Sequence, residues 1–319
     1  MTSSGTSPVH AHPLSTRVAV EGLGSFFIVF AGLGTALFSA AGAGTTVGFA
    51  YGLAMVAAII SFGHISNGYF NPAFSLGLAI AGRLKFSAMA LYIVAQTVGA
   101  VLASVVWLGM MMVMPTGATP ATPQLFGALA NGFDAHSPSQ VPMIGIAIVE
   151  VAAVAILTAL LLGATSPRNK STLGPVAVGL AFAVAVGITM PLSNGSLNPA
   201  RATSVVFLAD SWAAGQLWLF WLAPLVGAAL AAAIYRSFAP AAAVSSSASA
   251  DVSTDDDDAP AAESAAPAAS AASATDASDA EVARDAEDAD TTVVATTAAA
   301  TKVAPKVDDA QAFFDAPKK

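Results

Sequence analysis

The chain has 319 residues, of which 55% are hydrophobic and only 10% are charged, and its formal net charge is −8. Charged residues make up about a quarter of an ordinary soluble domain, so this composition excludes a simple soluble globular protein. Because the chain has no cysteine, disulfides, cysteine-based metal centres and thiol catalysis are excluded as well.

The charges are distributed unevenly along the chain. Residues 239–319 hold 16 Asp or Glu but only 5 Lys or Arg, and Phe313 and Phe314 are their only aromatic residues. Such an acidic segment, rich in Ala and Ser, cannot bury enough apolar surface to fold, so we predict a disordered cytoplasmic tail. Its acidity also argues against a nucleic-acid partner. A second disordered segment is predicted at residues 1–16.

Six apolar stretches between these two segments are long enough to cross a membrane, which requires about 20 mostly apolar residues. They lie near residues 18–40, 46–63, 86–114, 143–164, 173–190 and 215–235. Two further apolar segments, at residues 72–81 and 199–209, have about half the spanning length. They are predicted to be re-entrant half-helices, with surface turns or one extra span as the alternatives. The sequence thus predicts an all-α membrane protein.

The basic residues predict the orientation of the spans, because Lys and Arg near span ends are retained on the cytoplasmic side. The loops at residues 41–45 and 115–142 hold no Lys or Arg. The other loops and the outer ends of the first and last spans hold Arg17, Arg83, Lys85, Arg168, Lys170 and Arg236. We therefore predict that both termini are cytoplasmic. A cleaved signal peptide is not expected, since residues 1–16 contain no Lys or Arg.

An internal repeat relates the two halves of the apolar region. Residues 66–73 read Ser-Asn-Gly-Tyr-Phe-Asn-Pro-Ala and residues 193–200 read Ser-Asn-Gly-Ser-Leu-Asn-Pro-Ala, so six of eight positions match at an offset of 127. Glu21 and Glu150 precede the two motif asparagines by 50 and 48 residues. Each repeat, at about 17–114 and 143–236, holds three spans and one half-helix. An odd number of crossings inverts one repeat relative to the other.

Each repeat carries an Asn-Pro-Ala motif where its half-helix is predicted to begin. The motifs consist of Asn71, Pro72 and Ala73 in the first repeat and Asn198, Pro199 and Ala200 in the second. Asn is a favoured N-cap, and Pro fits the first helical turn because its missing N–H would have no partner there. Inversion directs both positive helix ends and the asparagine amides at one point in mid-membrane. A small neutral molecule is accepted there, whereas a cation is repelled.

Three charged residues fall within the predicted spans and half-helices. Arg201 lies three residues after Asn198, where the first repeat has Phe74. An intramembrane arginine is costly, so we expect Arg201 to line an aqueous cavity, with a snorkelling arginine as the alternative. Glu21 and Glu150 could relay protons, but we favour them as buried acceptors for the N–H groups of the irregular loops.

The two motifs, the second extended as Asn-Pro-Ala-Arg, resemble those of the major intrinsic protein family of aquaporins and glycerol facilitators. The resemblance covers about residues 17–236 and is closest to bacterial aquaporins. Further matches are Gly-His-Ile-Ser at 63–66, Ala-Gln at 95–96 and Phe-Trp at 220–221. The resemblance implies a right-handed six-helix bundle, a homotetramer with one pore per subunit, and passive transport of water or small neutral solutes across the plasma membrane with exclusion of protons and ions.

The resemblance also implies a narrow selectivity filter, formed by Tyr51, Val186, Gly195 and Arg201. Strict water channels of the family usually have His in place of Val186 and a residue larger than Gly195. Glycerol facilitators usually have Asp and a basic residue where this chain has Ala202 and Val206, and the Phe-Trp pair favours water channels. We expect conduction of water and some small neutral solutes of up to glycerol or urea size, with a dedicated glycerol facilitator as the alternative.

An ion-coupled transporter is the alternative functional class, since inverted repeats with broken helices also build carriers. Only four acidic residues precede the tail: Glu21, Asp134, Glu150 and Asp210. Two of them, Glu21 and Glu150, lie within spans, and the repeat matches them to each other. A coupled carrier is expected to place an unpaired acid at the midplane.

Neither an enzyme nor a metal or cofactor site is expected. The predicted pore has no nucleophile–base pair and no metal-ligating cluster near it. His64 is expected to support the first loop, offering its carbonyl to the pore, and has no clustered partner in the sequence. His10 and His12 lie in the predicted disordered start, where a metal site is not expected.

Overall fold

The computed structural model describes residues 12–40, 43–114 and 122–238. These residues form nine α-helices, one 3₁₀ turn at Asp134–His136 and no strand. The helices are α1 (Leu14–Phe38), α2 (Gly44–Ser66), α3 (Pro72–Ile80), α4 (Phe86–Val113), α5 (Thr122–Gly127), α6 (Met143–Ala164), α7 (Gly174–Ser193), α8 (Pro199–Ser204) and α9 (Ser211–Ser237). The predicted tail at 239–319 and most of the predicted disordered start lie outside the described residues.

The predicted arrangement of six spans and two half-helices is confirmed. Six helices are long and apolar enough to cross a membrane: α1, α2, α4, α6, α7 and α9. The two half-helices α3 and α8 begin at Pro72 and Pro199, as the capping pattern predicts.

Three predicted boundaries are wrong by four or five residues, and one of them is the start of α9, at Ser211 rather than 215. α1 begins at Leu14 rather than Val18, because Pro13 provides the N-cap with φ of −61° and its carbonyl accepts from the N–H of Arg17. α8 ends at Ser204 rather than at 209. The Ser204 hydroxyl donates to the carbonyl of Arg201 at 2.7 Å, and such side-chain bonds compete with a continuing helix.

The predicted loop at 115–142 contains a helix that hydrophobic periodicity did not indicate. α5 is only six residues long, and its Phe126 is fully buried in a cluster with Val29, Leu33 and Ala100. Burial of one aromatic side chain holds this segment against α1 and α4.

Glycines bring the spans of the two repeats close together. A Cβ on Gly48 would lie 2.7 Å from the carbonyl oxygen of Ala183, and one on Gly52 would lie 2.5 Å from that of Gly179. Only glycine permits such an approach, so α2 and α7 pack backbone to backbone. Tyr51 of α2 is thereby placed near the middle of α7.

Each half-helix packs against a span of the other repeat. α3 of the first repeat packs against α9, the last span of the second, while α8 packs against α4, the last span of the first. Each half-helix is therefore supported mainly by the other repeat.

Candidate transport pore

Asn71 and Asn198 join the two half-helices by reciprocal hydrogen bonds. The Oδ1 atom of each accepts from the backbone N–H of its own motif alanine, at 2.9 and 3.0 Å. The amide of Asn71 donates to the carbonyl of Leu197 at 2.9 Å, and that of Asn198 donates to the carbonyl of Phe70 at 3.3 Å. Each asparagine therefore caps its own helix and holds the loop of the other repeat.

The loops before the two half-helices repeat the same backbone conformation. Three positions in each loop have positive φ: Asn67 (77°), Gly68 (69°) and Phe70 (50°) in the first, and Asn194 (60°), Gly195 (60°) and Leu197 (55°) in the second. Phe70 and Leu197 are neither glycine nor asparagine, and each such residue costs about 1–2 kcal/mol in this region. The surrounding structure must stabilise this conformation.

Glu21 supplies that stabilisation in the first repeat. Its Oε1 accepts from the hydroxyl of Ser66 at 2.7 Å and from the N–H of Tyr69 at 3.0 Å. Its Oε2 accepts from the N–H of Phe70 and from the amide of Gln96, both at 2.7 Å. The fully buried carboxylate thus accepts four hydrogen bonds, two of them from loop N–H groups.

Glu150 occupies the equivalent place in the second repeat with fewer donors. It accepts from the hydroxyl of Ser193 at 2.8 Å and from the N–H of Leu197 at 2.9 Å. The position that corresponds to Gln96 at the repeat offset is Ala223, which has no polar side chain. Both glutamates therefore lie where we expected loop acceptors, but their surroundings differ.

Arg201 is buried in α8 and makes three hydrogen bonds away from the helix axis. Its Nε donates to the hydroxyl of Tyr51 at 3.3 Å, its Nη1 to Oδ1 of Asn131 at 2.6 Å and its Nη2 to the carbonyl of Asn194 at 2.9 Å. Only 3% of its surface is exposed, so this arginine does not snorkel to the membrane surface. Its counterpart Phe74 packs edge-on against an aromatic ring of α7.

Asn131 is a site residue that the sequence reasoning missed. Its amide donates to the carbonyls of Ser193 at 2.7 Å and Asn194 at 3.1 Å, while its Oδ1 accepts from Arg201. The Asn-Gly pair at 131–132 signals a turn. No repeat counterpart or charge pattern pointed to a contact 70 residues along the chain.

Val186 and Gly195 lie against each other in the same ring of residues. A Cβ on Gly195 would lie 3.0 Å from Cγ1 of Val186 and 2.8 Å from Sδ of Met190, so the loop backbone lies directly against α7. The hydroxyl of Tyr51 accepts from Arg201. The phenol group of Tyr51 packs edge-on against Phe182 of α7, with 6.4 Å between the centres of the two aromatic groups. The structure therefore brings all four predicted filter residues together.

Two cavities lie on opposite sides of this ring. One, of about 460 Å³, touches Gly44 and Val47 of α2 as well as Asn194, and we call it the outer cavity after the predicted orientation. The other, of about 690 Å³, touches Ile59 and Gly63 of the same helix, together with His64 and Asn67, and we call it the inner cavity. Tyr51 lies between the two groups along α2, so the ring of residues lies between the two cavities. His64 was expected to support the first loop, and its side chain lines the inner cavity. Backbone N–H groups of the two loops donate to Glu21, Glu150 and Ser66.

The residues that depart from the glycerol-facilitator pattern lie in helix packing. Ala202 is buried in a cluster with Phe133 and Phe220, and Val206 is also buried. The indole N–H of Trp221 donates to the hydroxyl of Thr203 at 2.9 Å. The Phe-Trp pair at 220–221 therefore fixes α8 against α9.

Comparison with known proteins gives consistent matches. Residues 9–235 match the family model described as major intrinsic protein. The chain is 36% identical over 225 residues to Aquaporin Z of Bradyrhizobium diazoefficiens, which covers 69% of this chain and 92% of the relative. It is also 36% identical over 231 residues to Aquaporin Z of Rhodopseudomonas palustris, covering 71% and 94%. The X-ray structure of the aquaglyceroporin from Plasmodium falciparum has the same fold, with a TM-score of 0.60, 21% identity, and coverage of 71% of this chain and 97% of that one.

Proposed function

Because this chain belongs to the major intrinsic protein family, a family of non-enzymatic membrane channels, we propose that it conducts water and some small neutral solutes while excluding protons and ions. The single observation that carries this proposal is the ring formed by Tyr51, Val186, Gly195 and Arg201 between two cavities. The relatives named Aquaporin Z support water as a substrate.

A transported water would meet two hydrogen-bond donors where the half-helices join. The amide group of each motif asparagine has two N–H bonds, and Asn71 and Asn198 each use one on the opposite loop. The second is left for a passing molecule. A water molecule that accepts from both asparagines uses both lone pairs of its oxygen, and its hydrogens point away from the two amides. It therefore cannot accept a proton from the waters on either side of it in the pore.

Positive charge near the ring also opposes cations. Arg201 is buried with its guanidinium between Tyr51 and Asn131, and the first-turn ends of α3 and α8 add positive potential. A neutral solute experiences little of this repulsion, whereas an ion is not compensated for its lost hydration.

The composition of the ring supports a channel that is broader than a strict water channel. Val186 and Gly195 offer little bulk and no polar side-chain atom, whereas Arg201 and the carbonyls of the Ser193–Leu197 loop can guide a polar solute along one wall. Glycerol and urea are the upper size that we assign. Glycerol facilitators usually have Asp and a basic residue where this chain has Ala202 and Val206, and both of these apolar residues are buried in helix packing. We therefore do not propose a dedicated glycerol facilitator.

The proposed setting is the plasma membrane with both termini cytoplasmic. The guanidinium of Arg83 donates to the carbonyls of Leu162 and Thr165, and Arg236 donates to the carbonyl of Ile80. The basic ends of α3, α6 and α9 thus meet at one end of the bundle, and the positive-inside rule supports a cytoplasmic location for that end. We also propose the homotetramer implied by the family, which native mass spectrometry of the detergent-solubilised protein would test.

Osmotic shrinkage of proteoliposomes tests the transport assignment. We expect fast water efflux, measurable uptake of glycerol and urea, and no uptake of larger polyols. Val186→Trp should block all of these, whereas Val184→Trp, on the exposed side of the same helix, should not. Water permeability equal to that of empty vesicles in protein of normal helix content would overturn the assignment.

A further inference from the structure

Gln216 of α9 binds the backbone of the segment between α5 and α6. Its Oε1 accepts from the N–H of Phe133 at 2.9 Å, and its Nε2 donates to the carbonyl of the same residue at 3.3 Å. One planar amide group thus satisfies both backbone groups of Phe133. Two hydrogen bonds to one residue fix its orientation as well as its position, because each bond has a preferred direction.

The side chain of Phe133 attaches the same point of the segment to α9. Its ring centre lies 6.5 Å from that of Trp218 and 6.4 Å from that of Phe220, and the side chain is almost fully buried. Apolar burial is non-directional. The two bonds of Gln216 therefore fix the register of the segment on α9, which aromatic packing alone leaves free.

The segment has little room to absorb a shift of Phe133 before the shift reaches Asn131. Only Gly132 separates these two residues, and a Cβ on Gly132 would lie 2.3 Å from the carbonyl oxygen of His136. The backbone of Gly132 thus lies directly against the next turn. A displacement of Phe133 is therefore passed on to Asn131, whose Oδ1 accepts from Nη1 of Arg201 at 2.6 Å.

We propose that Gln216 is a positioning residue of the selectivity filter, which sets the place of the Arg201 guanidinium through Phe133 and Asn131. The described hydrogen bonds of Gln216 go to Phe133 and not to the four ring residues. The width of the ring then depends on how firmly α9 holds the segment between α5 and α6. The effect on solute range rests on the function proposed above, whereas the position of Arg201 can be measured without any solute.

The protein should fold without the two bonds of Gln216, because the same segment has other anchors. The hydroxyl of Ser137 donates to the carbonyl of Leu192 at 2.6 Å. A carboxylate oxygen of Asp134 accepts from the N–H of Met143 at 3.1 Å. Substitution of Gln216 therefore tests the position of the segment rather than folding of the bundle.

The guanidinium nitrogen signals of Arg201 test the proposal without transport. The full-length protein, labelled with ¹⁵N-arginine, is studied in lipid bilayers by solid-state NMR. It has six arginines, and Arg201→Lys identifies the signals that disappear. Gln216→Met, of similar length but without the amide group, should shift the Arg201 signals, whereas Gln216→Glu keeps an acceptor for the N–H of Phe133 and should shift them less. Gln124→Met, the same change at an exposed position of α5, is the control and should leave them unchanged.

Solute discrimination provides a second measurement. In proteoliposomes, Gln216→Met should raise the ratio of glycerol to water permeability about twofold to fivefold, as the loss of one or two hydrogen bonds would. In an Asn131→Ala background the same change should add nothing, because the proposed route to Arg201 has already been removed.

Two results would overturn the proposal. One is an unchanged set of Arg201 signals in well-folded Gln216→Met, which would mean that Gln216 only anchors the segment. The other is an independent increase of the permeability ratio in the double variant, which would mean that Gln216 acts without Asn131. A parent protein that passes water but no glycerol would contradict the solute range proposed above, and the NMR comparison would still decide the role of Gln216.

Discussion

Nη1 of Arg201 lies 2.6 Å from Oδ1 of Asn131, and both side chains are buried. Because Asn131 also donates to the carbonyls of Ser193 and Asn194, one amide holds the arginine and the loop that faces it. The geometry of the filter thus depends on a segment between α5 and α6 that lies outside the repeat.

Asn131→Ala should loosen the filter without unfolding the bundle. Loss of a buried hydrogen bond to a charged group costs roughly 1.5–3 kcal/mol, and here two loop carbonyls lose their donor as well. We expect the ratio of glycerol to water permeability to rise severalfold in stopped-flow light scattering. Asn131→Asp keeps the acceptor for Arg201 but removes the amide donor, so it should give an intermediate ratio. Asn169→Ala, on an exposed loop, is the control and should change nothing. A normal ratio in Asn131→Ala would show that Arg201 keeps its place without this contact.

Arg201→Val should increase proton and cation leakage, because it removes the buried positive charge and widens the ring. Water permeability should remain within about twofold. The leak is measured by the decay of a pH gradient across proteoliposomes after addition of an ionophore for the counter-ion. Unchanged proton exclusion and solute selectivity in a well-folded variant would mean that Arg201 is structural.

Val186→His should reduce glycerol passage much more than water passage, since it adds bulk and a polar group to the ring. Val186→Thr separates the two effects, because threonine has nearly the volume of valine and should leave glycerol passage largely intact. The sequence suggests Gly195→Thr as a companion change. However, a Cβ there would clash with Met190, and φ is +60°, so that variant is expected to destabilise the loop. Equal losses of water and glycerol in Val186→His would exclude a filter limited by this side chain.

Glu21→Gln should destabilise the protein more than Glu150→Gln. The carboxylate of Glu21 accepts four hydrogen bonds and that of Glu150 accepts two, and a glutamine amide group cannot accept from donors that face it. Each lost acceptor costs roughly 1–3 kcal/mol. The midpoint of thermal unfolding in detergent should therefore fall further for Glu21→Gln. The reverse order would show that the donors in the first repeat find other partners.

A chain that ends after residue 239 should retain normal water flux. Residues 239–319 have a composition that cannot form a packed core, and the ring and both cavities are built from residues before it. The comparison of full-length and shortened protein needs equal amounts of assembled protein in the vesicles. If the shortened protein assembled but conducted no water, the tail would have to act as an activator.

The repeat explains why the sequence alone predicts so much of the centre of this protein. Asn-Pro-Ala is a local capping signal that occurs once in each repeat. Glu21 and Glu150 precede the two motifs at nearly the same spacing, so the repeat identifies them as a matched pair. The existence of the six spans follows from their apolar length. The end of α8 was missed because it depends on side-chain bonds of Ser204 to its own helix.

The contacts that the sequence did not predict join segments without symmetry. Asn131 contacts the second loop 62 residues later, and His12 meets His64. Neither pair has a counterpart in the other repeat or a recognisable spacing. Only the three-dimensional arrangement of the helices and loops brings such residues together.

The hydrogen bond from Asn71 to Leu197 has a consequence for how the channel is made. These residues are 126 positions apart, so during synthesis the first loop exists before its partner has been translated. Glu21 precedes this loop in the chain and can satisfy Tyr69 and Phe70 early, but α3 must wait for α9 to cover it. The spans can thus enter the membrane one after another, whereas the passage between them closes into its final form only when the last span has been inserted. A chain that ended within the second repeat would lack α9 and would therefore leave α3 uncovered.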